Sequence, residues 1–205
     1  MTIAVDPPID DQEAKEVLSM GYEDLFGPIN LFALGFAQAV GLMEGKYGKW
    51  GPNNSSNNWG AITRAPLTDG SCPAGSFSHE DSDENGKYQT CFEAYDTSLE
   101  GATDLLQNLF VNRPEVFAAA ASGEFPEAIR QMYASNYFRG TAPHNQKDPN
   151  GEFTNVNRYI AFVQKGIDQI APLYNPNGVQ ESSGNALYVA LGAAALVGVI
   201  AIAKR

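Results

Sequence analysis

The sequence predicts a mainly α-helical domain with a small β lobe, followed by a C-terminal membrane helix. Residues 29–44 have helical spacing and are apolar nearly all round, which is typical of a helix buried inside a domain. Residues 63–90 mix Gly, Pro, Ser and acidic residues with a few aromatics, which indicates an irregular or β-hairpin lobe. Helical patterns then resume at residue 98, so the β excursion lies near the middle of the domain.

The composition excludes several classes of protein. The chain has 205 residues, 43% of them hydrophobic and 11% aromatic, which suits one domain with a full core rather than a disordered or fibrous chain. Its net charge of −11 disfavours nucleic acid as a partner. No cofactor is expected. A zinc site is not expected either, because the only histidines that could join the two cysteines are His79 and His144.

The individual helices carry start and stop signals. Pro28 suits the first turn of the buried helix, and Gly45 and Gly48 stand where it should stop, so Glu44 is expected as its last residue. Further helices are predicted from residue 98 onward and over 114–121, 126–135 and 154–170.

Two cysteines, Cys72 and Cys91, flank the lobe. A disulfide between them would close a loop of about 20 residues and contribute about 3 kcal/mol to stability. Two free thiols in a reducing compartment are the alternative, and both interpretations stay open.

The C-terminal region predicts a membrane anchor. Residues 186–203 contain no charged side chain, and as a helix they would be about 27 Å long, close to the thickness of the hydrocarbon core. A buried terminal helix is the alternative. The predicted organisation is an N-terminal arm and first helix over 1–27, the main domain over 28–174, a linker over 175–185, and the span over 186–203.

The charges near the span predict where the protein acts. Lys204 and Arg205 favour the cytoplasmic side, and the acidic domain would then have to cross the membrane with no secretory signal at its N-terminus. A chain delivered from outside avoids that difficulty. We therefore expect a single-pass membrane protein of a bacteriophage virion, delivered to the bacterial envelope, with lipid and other virion proteins as partners.

Three segments form a candidate site. They are 44–48 (EGKYG), 57–62 (NNWGAI) and 92–101 (FEAYDTSLEG). A Glu at the end of a buried helix has apolar neighbours, which raise its pKa and keep it protonated near neutral pH. Such a carboxylic acid can protonate the leaving oxygen of a glycosidic bond. Glu44 in isolation would also fit an ordinary solvated residue at a helix end.

In this order and spacing, the three segments resemble the lysozyme-like superfamily, over roughly residues 31–170. The nearest members are the flagellar and autolysin-type glucosaminidases of glycoside hydrolase family 73 and the lytic transglycosylases. The resemblance implies a lysozyme-like α+β fold, Glu44 as catalytic residue, and peptidoglycan glycan strands as substrate. These families have Ser where this chain has Gly45, which removes the usual hydrogen bond that orients the carboxylate.

Some of the candidate residues also have plainer interpretations. Trp59 fits core packing as well as sugar stacking, and Tyr137 and Tyr159 fit an aromatic core as well as a cleft. A second acid would come from the run 79–84, which a solvated acidic loop explains better. The expected substrate-binding residues are Asn57, Asn58, Trp59, Gly60, Tyr95, Tyr137 and Tyr159.

The sequence therefore predicts a membrane-anchored enzyme that cleaves peptidoglycan during genome delivery. It acts either as a glycosidase that uses water or as a lytic transglycosylase that uses the muramic 6-hydroxyl. The alternative is a catalytically inactive structural protein of the virion that binds glycan through a lysozyme-like domain.

Overall fold

A buried helix, α2 (Leu31–Gly45), lies at the centre of the fold. The computed structural model describes residues 10–49, 56–83, 86–138 and 154–174. Every residue of α2 from Ala33 to Gly41 is buried, because the helix packs against the other helices on several sides. The Asn30 side chain caps its start by accepting a hydrogen bond from Ala33 N at 3.0 Å. The helix predicted over 29–44 is observed, but it begins at Leu31, so Pro28 precedes its first turn, and it ends one residue beyond Glu44.

The described chain contains six α-helices, one π-helical turn and three strands. This agrees with the expected mainly helical architecture with a small β lobe. The elements are α1 (Asp11–Phe26), α2, β1 (Thr63–Arg64), β2 (Ser76–Asp83), β3 (Gly86–Glu93), α3 (Ser98–Leu106), π1 (Gln107–Val111), α4 (Pro114–Ala121), α5 (Phe125–Ala134) and α6 (Thr154–Tyr174). Helix α6 continues four residues past its expected end, and π1 was not predicted.

The lobe is a three-stranded antiparallel sheet in the order β1-β3-β2. Strands β2 and β3 form a hairpin in which Ser76 lies opposite Glu93, and β1 pairs with the end of β3 nearest the helices. Cys72 and Cys91 form a disulfide with their Cα atoms 5.4 Å apart, which settles the two interpretations that the sequence left open. The bond ties the loop before β2 to the buried side of β3.

The core joins α2 to the helices on both sides of it. Its buried side chains come from all six α-helices, π1 and the 56–62 segment, and they include Leu18, Phe36, Trp59, Leu105, Val116, Ile129 and Val163. This packing fixes the C-terminal end of α2 relative to α6, and the candidate site lies there.

Several predicted segments fall outside the described residues: the arm before residue 10, the linker over 175–185 and the span over 186–203. Among the helices that the structure describes, none combines the length and apolar composition needed to cross a bilayer. The membrane anchor stays a prediction.

Candidate active site

Glu44 is the penultimate residue of α2, and the residue as a whole is half-buried at the end of that helix. The Tyr159 hydroxyl, from α6, donates a hydrogen bond to Glu44 Oε1. Burial raises the pKa of Glu44 above its usual range, and the Tyr159 hydrogen bond opposes part of that rise. Glu44 is thus a carboxylic acid that keeps its proton to a higher pH than a solvated Glu does.

A left-handed turn follows Glu44 and takes the chain away from its carboxyl. Lys46, Tyr47 and Gly48 have φ values of 45°, 58° and 80°. The helix end is capped by Tyr47 N, which donates to Gly41 O at 3.1 Å, and by Lys46 N, which donates to Leu42 O at 3.1 Å. A Cβ at Gly48 would lie 2.3 Å from Asn57 Cα, so this position requires glycine.

Gly45 is required by close packing. A Cβ at this position would lie 2.4 Å from Asn58 O and 2.7 Å from Trp59 O, because the 58–59 backbone runs directly against the end of α2. The Ser of the resembling families therefore has no room here. In this chain the Tyr159 hydroxyl supplies a hydrogen bond to the carboxyl from another helix.

A buried polar network anchors the turn to α1 and α6. The Tyr47 hydroxyl donates to Asp11 Oδ1 at 2.8 Å, and Gln38 Nε2 donates to Asp11 O at 2.7 Å. The Tyr174 hydroxyl donates to Gln38 Oε1 at 2.6 Å. The network joins the start of α1, the middle of α2 and the end of α6, so it holds the backbone that follows Glu44 in one conformation.

Asn57 and Asn58 are buried, and their amides bond the protein itself. Asn58 Nδ2 donates to Ile62 O at 2.8 Å and to Glu93 O at 3.0 Å, while its Oδ1 accepts from Ile62 N at 2.8 Å. Asn57 Nδ2 donates to Tyr95 O at 3.2 Å. These bonds attach the 57–62 segment to the lobe. Both amide groups are therefore engaged with the protein's own backbone, and contact of either with a sugar stays a prediction.

Trp59 is 0% exposed, and its ring packs 5.0 Å from that of Tyr47, measured between centroids. The indole therefore presents no face to a ligand, and the alternative of core packing is the one observed. Gly60 is also buried. A Cβ there would lie 2.8 Å from Leu105 Cδ1 and 3.1 Å from the Tyr137 hydroxyl, so glycine lets Tyr137 reach this backbone. Trp59 thus packs against the end of α2 that carries Glu44, and Gly60 packs against Leu105 and Tyr137.

Two of the expected tyrosines lie beside Glu44. The Tyr137 hydroxyl donates to Gly60 O at 3.3 Å, and Tyr159 donates to Glu44. Burial raises the pKa of both tyrosines far above the usual value, and the nearby charge of Glu44 raises it further. Both phenols therefore remain protonated hydrogen-bond donors at any physiological pH. The structure thus places both side chains near Glu44, and their part in binding a substrate stays a prediction.

Tyr95 lies next to an acid that the sequence did not single out. Its hydroxyl donates to Asp104 Oδ2 at 2.5 Å, and its pKa is raised by burial first and then by Asp104. Asp104 also acts electrostatically on Tyr137, as does Arg113, whose guanidinium lies 5.2 Å from the centroid of the Tyr137 ring. Arg113 lies two residues after the end of π1, and no sequence signal marks that turn.

The acidic lobe supplies no second acid that the structure places near Glu44. Glu80 is exposed and forms an ion pair with Lys87 at 2.6 Å, and the side chains of 81–84 lie outside the described residues. Glu93 is nearly buried and pairs with Arg64. Within the described part of the chain, no three His, Cys, Asp or Glu residues are grouped as a metal site.

The comparisons with known proteins give two similar structures. The sequence matches no protein-family model and no curated protein. A glycoside hydrolase domain of Salmonella typhimurium FlgJ matches with 16% identity over 78% of this chain and 97% of that chain, at a TM-score of 0.44. The catalytic domain of the autolysin Auto from Listeria monocytogenes matches with 15% identity over 81% and 88%, at a TM-score of 0.47. Both are of the kind that the sequence motifs resemble, and at these scores we base the function on the site alone.

Proposed function

We propose that this chain is a peptidoglycan-cleaving glycosidase in which Glu44 is the general acid. One observation carries the proposal: a carboxyl at the end of a buried helix, with a pKa raised by burial and a hydrogen bond from Tyr159. A protein that only binds glycan has no need of such an acid. Burial of a carboxyl costs stability, and acids with pKa values raised by burial are concentrated at functional sites, so the environment of Glu44 supports a chemical role.

The geometry suits proton transfer to a glycosidic oxygen. Protonated Glu44 donates its proton to the leaving oxygen as the C–O bond breaks, and the sugar ring takes on positive charge. The carboxylate left behind accepts the Tyr159 hydrogen bond, which stabilises the charge as it forms. Glu44 then accepts a proton from the hydroxyl that attacks the anomeric carbon. That hydroxyl belongs either to water or to the sugar's own 6-position, and the two leave different product ends.

A position outside the cytoplasm completes the proposal. The Cys72–Cys91 disulfide supports it, because such bonds persist in oxidising compartments and at virion or cell surfaces. We further propose that residues 186–203 insert in a membrane and that a bacteriophage virion delivers the chain to the cell wall. The absence of charged residues from that segment supports the membrane part.

Activity in a peptidoglycan gel tests the proposal. The full chain in detergent should clear the gel, and Glu44→Gln, which keeps the shape but cannot donate a proton, should lower clearing by at least about a hundredfold. Glu115→Gln, an exposed acid at the start of α4, is the matched control and should clear normally. Equal clearing by native and Glu44→Gln proteins, or by neither, contradicts the enzymatic function. Mass spectrometry of the products then separates hydrolysis from transglycosylation, since only the latter leaves an anhydro end.

A further inference from the structure

A row of aromatic side chains extends from the candidate acid along α6. Tyr159 stacks on Phe138 with ring centroids 4.0 Å apart and planes 15° apart, and its other neighbour is Phe162 at 5.9 Å. Tyr159 bonds Glu44, so the row begins at the reacting carboxyl. Phe162 ends it and is 37% exposed, a large apolar surface for one side chain.

The exposed face of Phe162 lines a groove of about 570 Å³ between the start of α1, the end of α2 and α6. Leu42, Met43 and the ring of Tyr47 also line it, and Lys46 and Gln169 are among its polar residues. Met43 directly precedes Glu44, and Phe162 follows Tyr159 by about one helical turn. The groove is therefore lined by near sequence neighbours of Glu44 on α2 and of Tyr159 on α6.

We infer that this groove is a subsite for a neutral pyranose unit of the glycan strand, with Phe162 as the residue on which the sugar stacks. The inference rests on the proposed function of Glu44. A pyranose ring has an apolar C–H face and a rim of hydroxyls, so it requires one exposed aromatic face surrounded by polar groups. The groove has both, and its volume is within the range of small-molecule sites.

The polar rim matches sugar hydroxyls in chemistry and in charge. Lys46 is exposed and forms no ion pair with any described residue, so its ammonium has donors to offer. Gln169 Nε2 donates to Asp11 Oδ2 at 2.9 Å, which fixes its amide at the rim. The acidic lining residues Asp10 and Asp11 balance Lys46 and Lys49, and this charge balance favours a neutral sugar over an anionic ligand.

Binding of N-acetylglucosamine oligomers of increasing length tests the subsite. The full chain carrying Glu44→Gln serves as the background, so that the oligomers are not cleaved, and titration calorimetry gives the affinities. Affinity should rise with oligomer length until the groove is filled. Adding Phe162→Ala should lower the affinity for the longest oligomers roughly five- to tenfold and leave the shortest unchanged.

Three further variants make the result specific. Phe162→Trp keeps an aromatic face and should restore the affinity for long oligomers. Phe162→Leu keeps the apolar volume but has no aromatic face, so it should not restore the affinity for long oligomers. This variant tests the subsite even if Phe162→Ala is too unstable to assay. Met20→Ala removes an exposed apolar side chain of α1 that is not among the groove's lining residues, and it should bind like the background protein.

The outcomes separate this subsite from the proposed function. The subsite is overturned if Phe162→Leu binds long oligomers as tightly as the background protein does, or if it loses affinity equally for oligomers of every length. Either result holds whatever the activity of native protein is. The proposed function of Glu44 itself is overturned if native protein does not cleave peptidoglycan and the Glu44→Gln variant binds no oligomer. Clearing of peptidoglycan by native protein, together with unaltered length dependence in the Phe162 variants, leaves the function standing and removes the subsite.

Discussion

The hydroxyl of Tyr159 donates a hydrogen bond to Glu44 Oε1 across 115 residues of sequence. This contact joins the last described helix to the end of the central one. It acts on the ionised carboxyl more than on the protonated one, so it partly offsets the effect of burial on the pKa of Glu44. It is also the one side-chain hydrogen bond to the Glu44 carboxyl that the structure shows among the described residues.

Replacing Tyr159 by Phe should change the pH dependence of activity. Loss of the hydrogen bond raises the pKa of Glu44 further, so the alkaline limb of the kcat/KM profile should move to higher pH. The maximal rate should fall about tenfold or more, because the carboxylate formed during proton transfer loses its donor. Rates across the pH range check both effects.

Tyr88→Phe is the control for that experiment. Tyr88 is an exposed tyrosine of β3, and its replacement should leave the profile in place. A Tyr159→Phe profile that moved toward lower pH would contradict the role assigned to the hydrogen bond.

Glu44 should make the stability of the fold depend on pH. Its folded-state pKa is raised above the unfolded value, so the folded protein binds the proton more tightly. Stability from this group is fully present below the unfolded pKa of about 4.3 and is lost as pH rises through the folded pKa. The Glu44→Gln variant has no proton to lose at this position, so its stability does not fall as pH rises. The variant should therefore unfold at a higher temperature than native protein at pH 7 but not at pH 4.

Thermal unfolding at the two pH values checks this prediction. Glu115→Gln, an exposed acid, should show no such difference between pH 7 and pH 4. If Glu44→Gln were instead less stable than native protein at pH 7, the carboxyl would be a stabilising partner in the fold rather than a strained acid.

Adding a single carbon at Gly45 should destabilise the protein. The Cβ of Gly45→Ala would lie 2.4 Å from Asn58 O, so the 58–59 backbone must move, at a cost of about 2 to 3 kcal/mol. Gly35→Ala on the same helix meets its nearest atom at 3.7 Å and should be neutral or stabilising by up to about 1 kcal/mol, because Ala favours helix. Denaturation with urea measures both. Equal stability of the two variants would contradict the close approach.

Reducing the Cys72–Cys91 disulfide should loosen the lobe. A disulfide between residues separated by 19 positions contributes about 3 kcal/mol to the free energy of unfolding. Native protein should therefore unfold at a lower temperature in the presence of reductant. The double variant Cys72→Ala with Cys91→Ala should unfold at the lower temperature with or without reductant. If reductant also lowered the unfolding temperature of that variant, the loss of stability in native protein would not come from reduction of the disulfide.

Local signals predicted the helices well. Pro114 at its first position and an apolar face define α4, and its predicted range is the observed one. The capping box of Thr97 and Glu100 explains why α3 starts where its sequence indicates. These features act within a few residues, so the sequence alone contains them.

The misplaced side chains depend on packing between distant segments. Asn58 has an amide that suits a sugar as well as a backbone, and only the position of Ile62 and Glu93 decides between them. The local sequence around Trp59 does not decide whether its side chain is exposed or buried, because the packing of α2 and α3 against it decides. The left-handed turn at Lys46 and Tyr47 puts non-glycine residues in a conformation that local propensity disfavours, and the Asp11 bond to Tyr47 helps to hold it.

The position of Tyr159 late in the chain has a consequence during synthesis. The ribosome makes Glu44 long before it makes α6, so a nascent or truncated chain has the acid without the donor and without the helix that shields it. Its carboxyl then titrates as an ordinary solvated one. The hydrogen bond to Glu44 and the burial that raises its pKa are therefore in place only when α6 has been made and packed against α2.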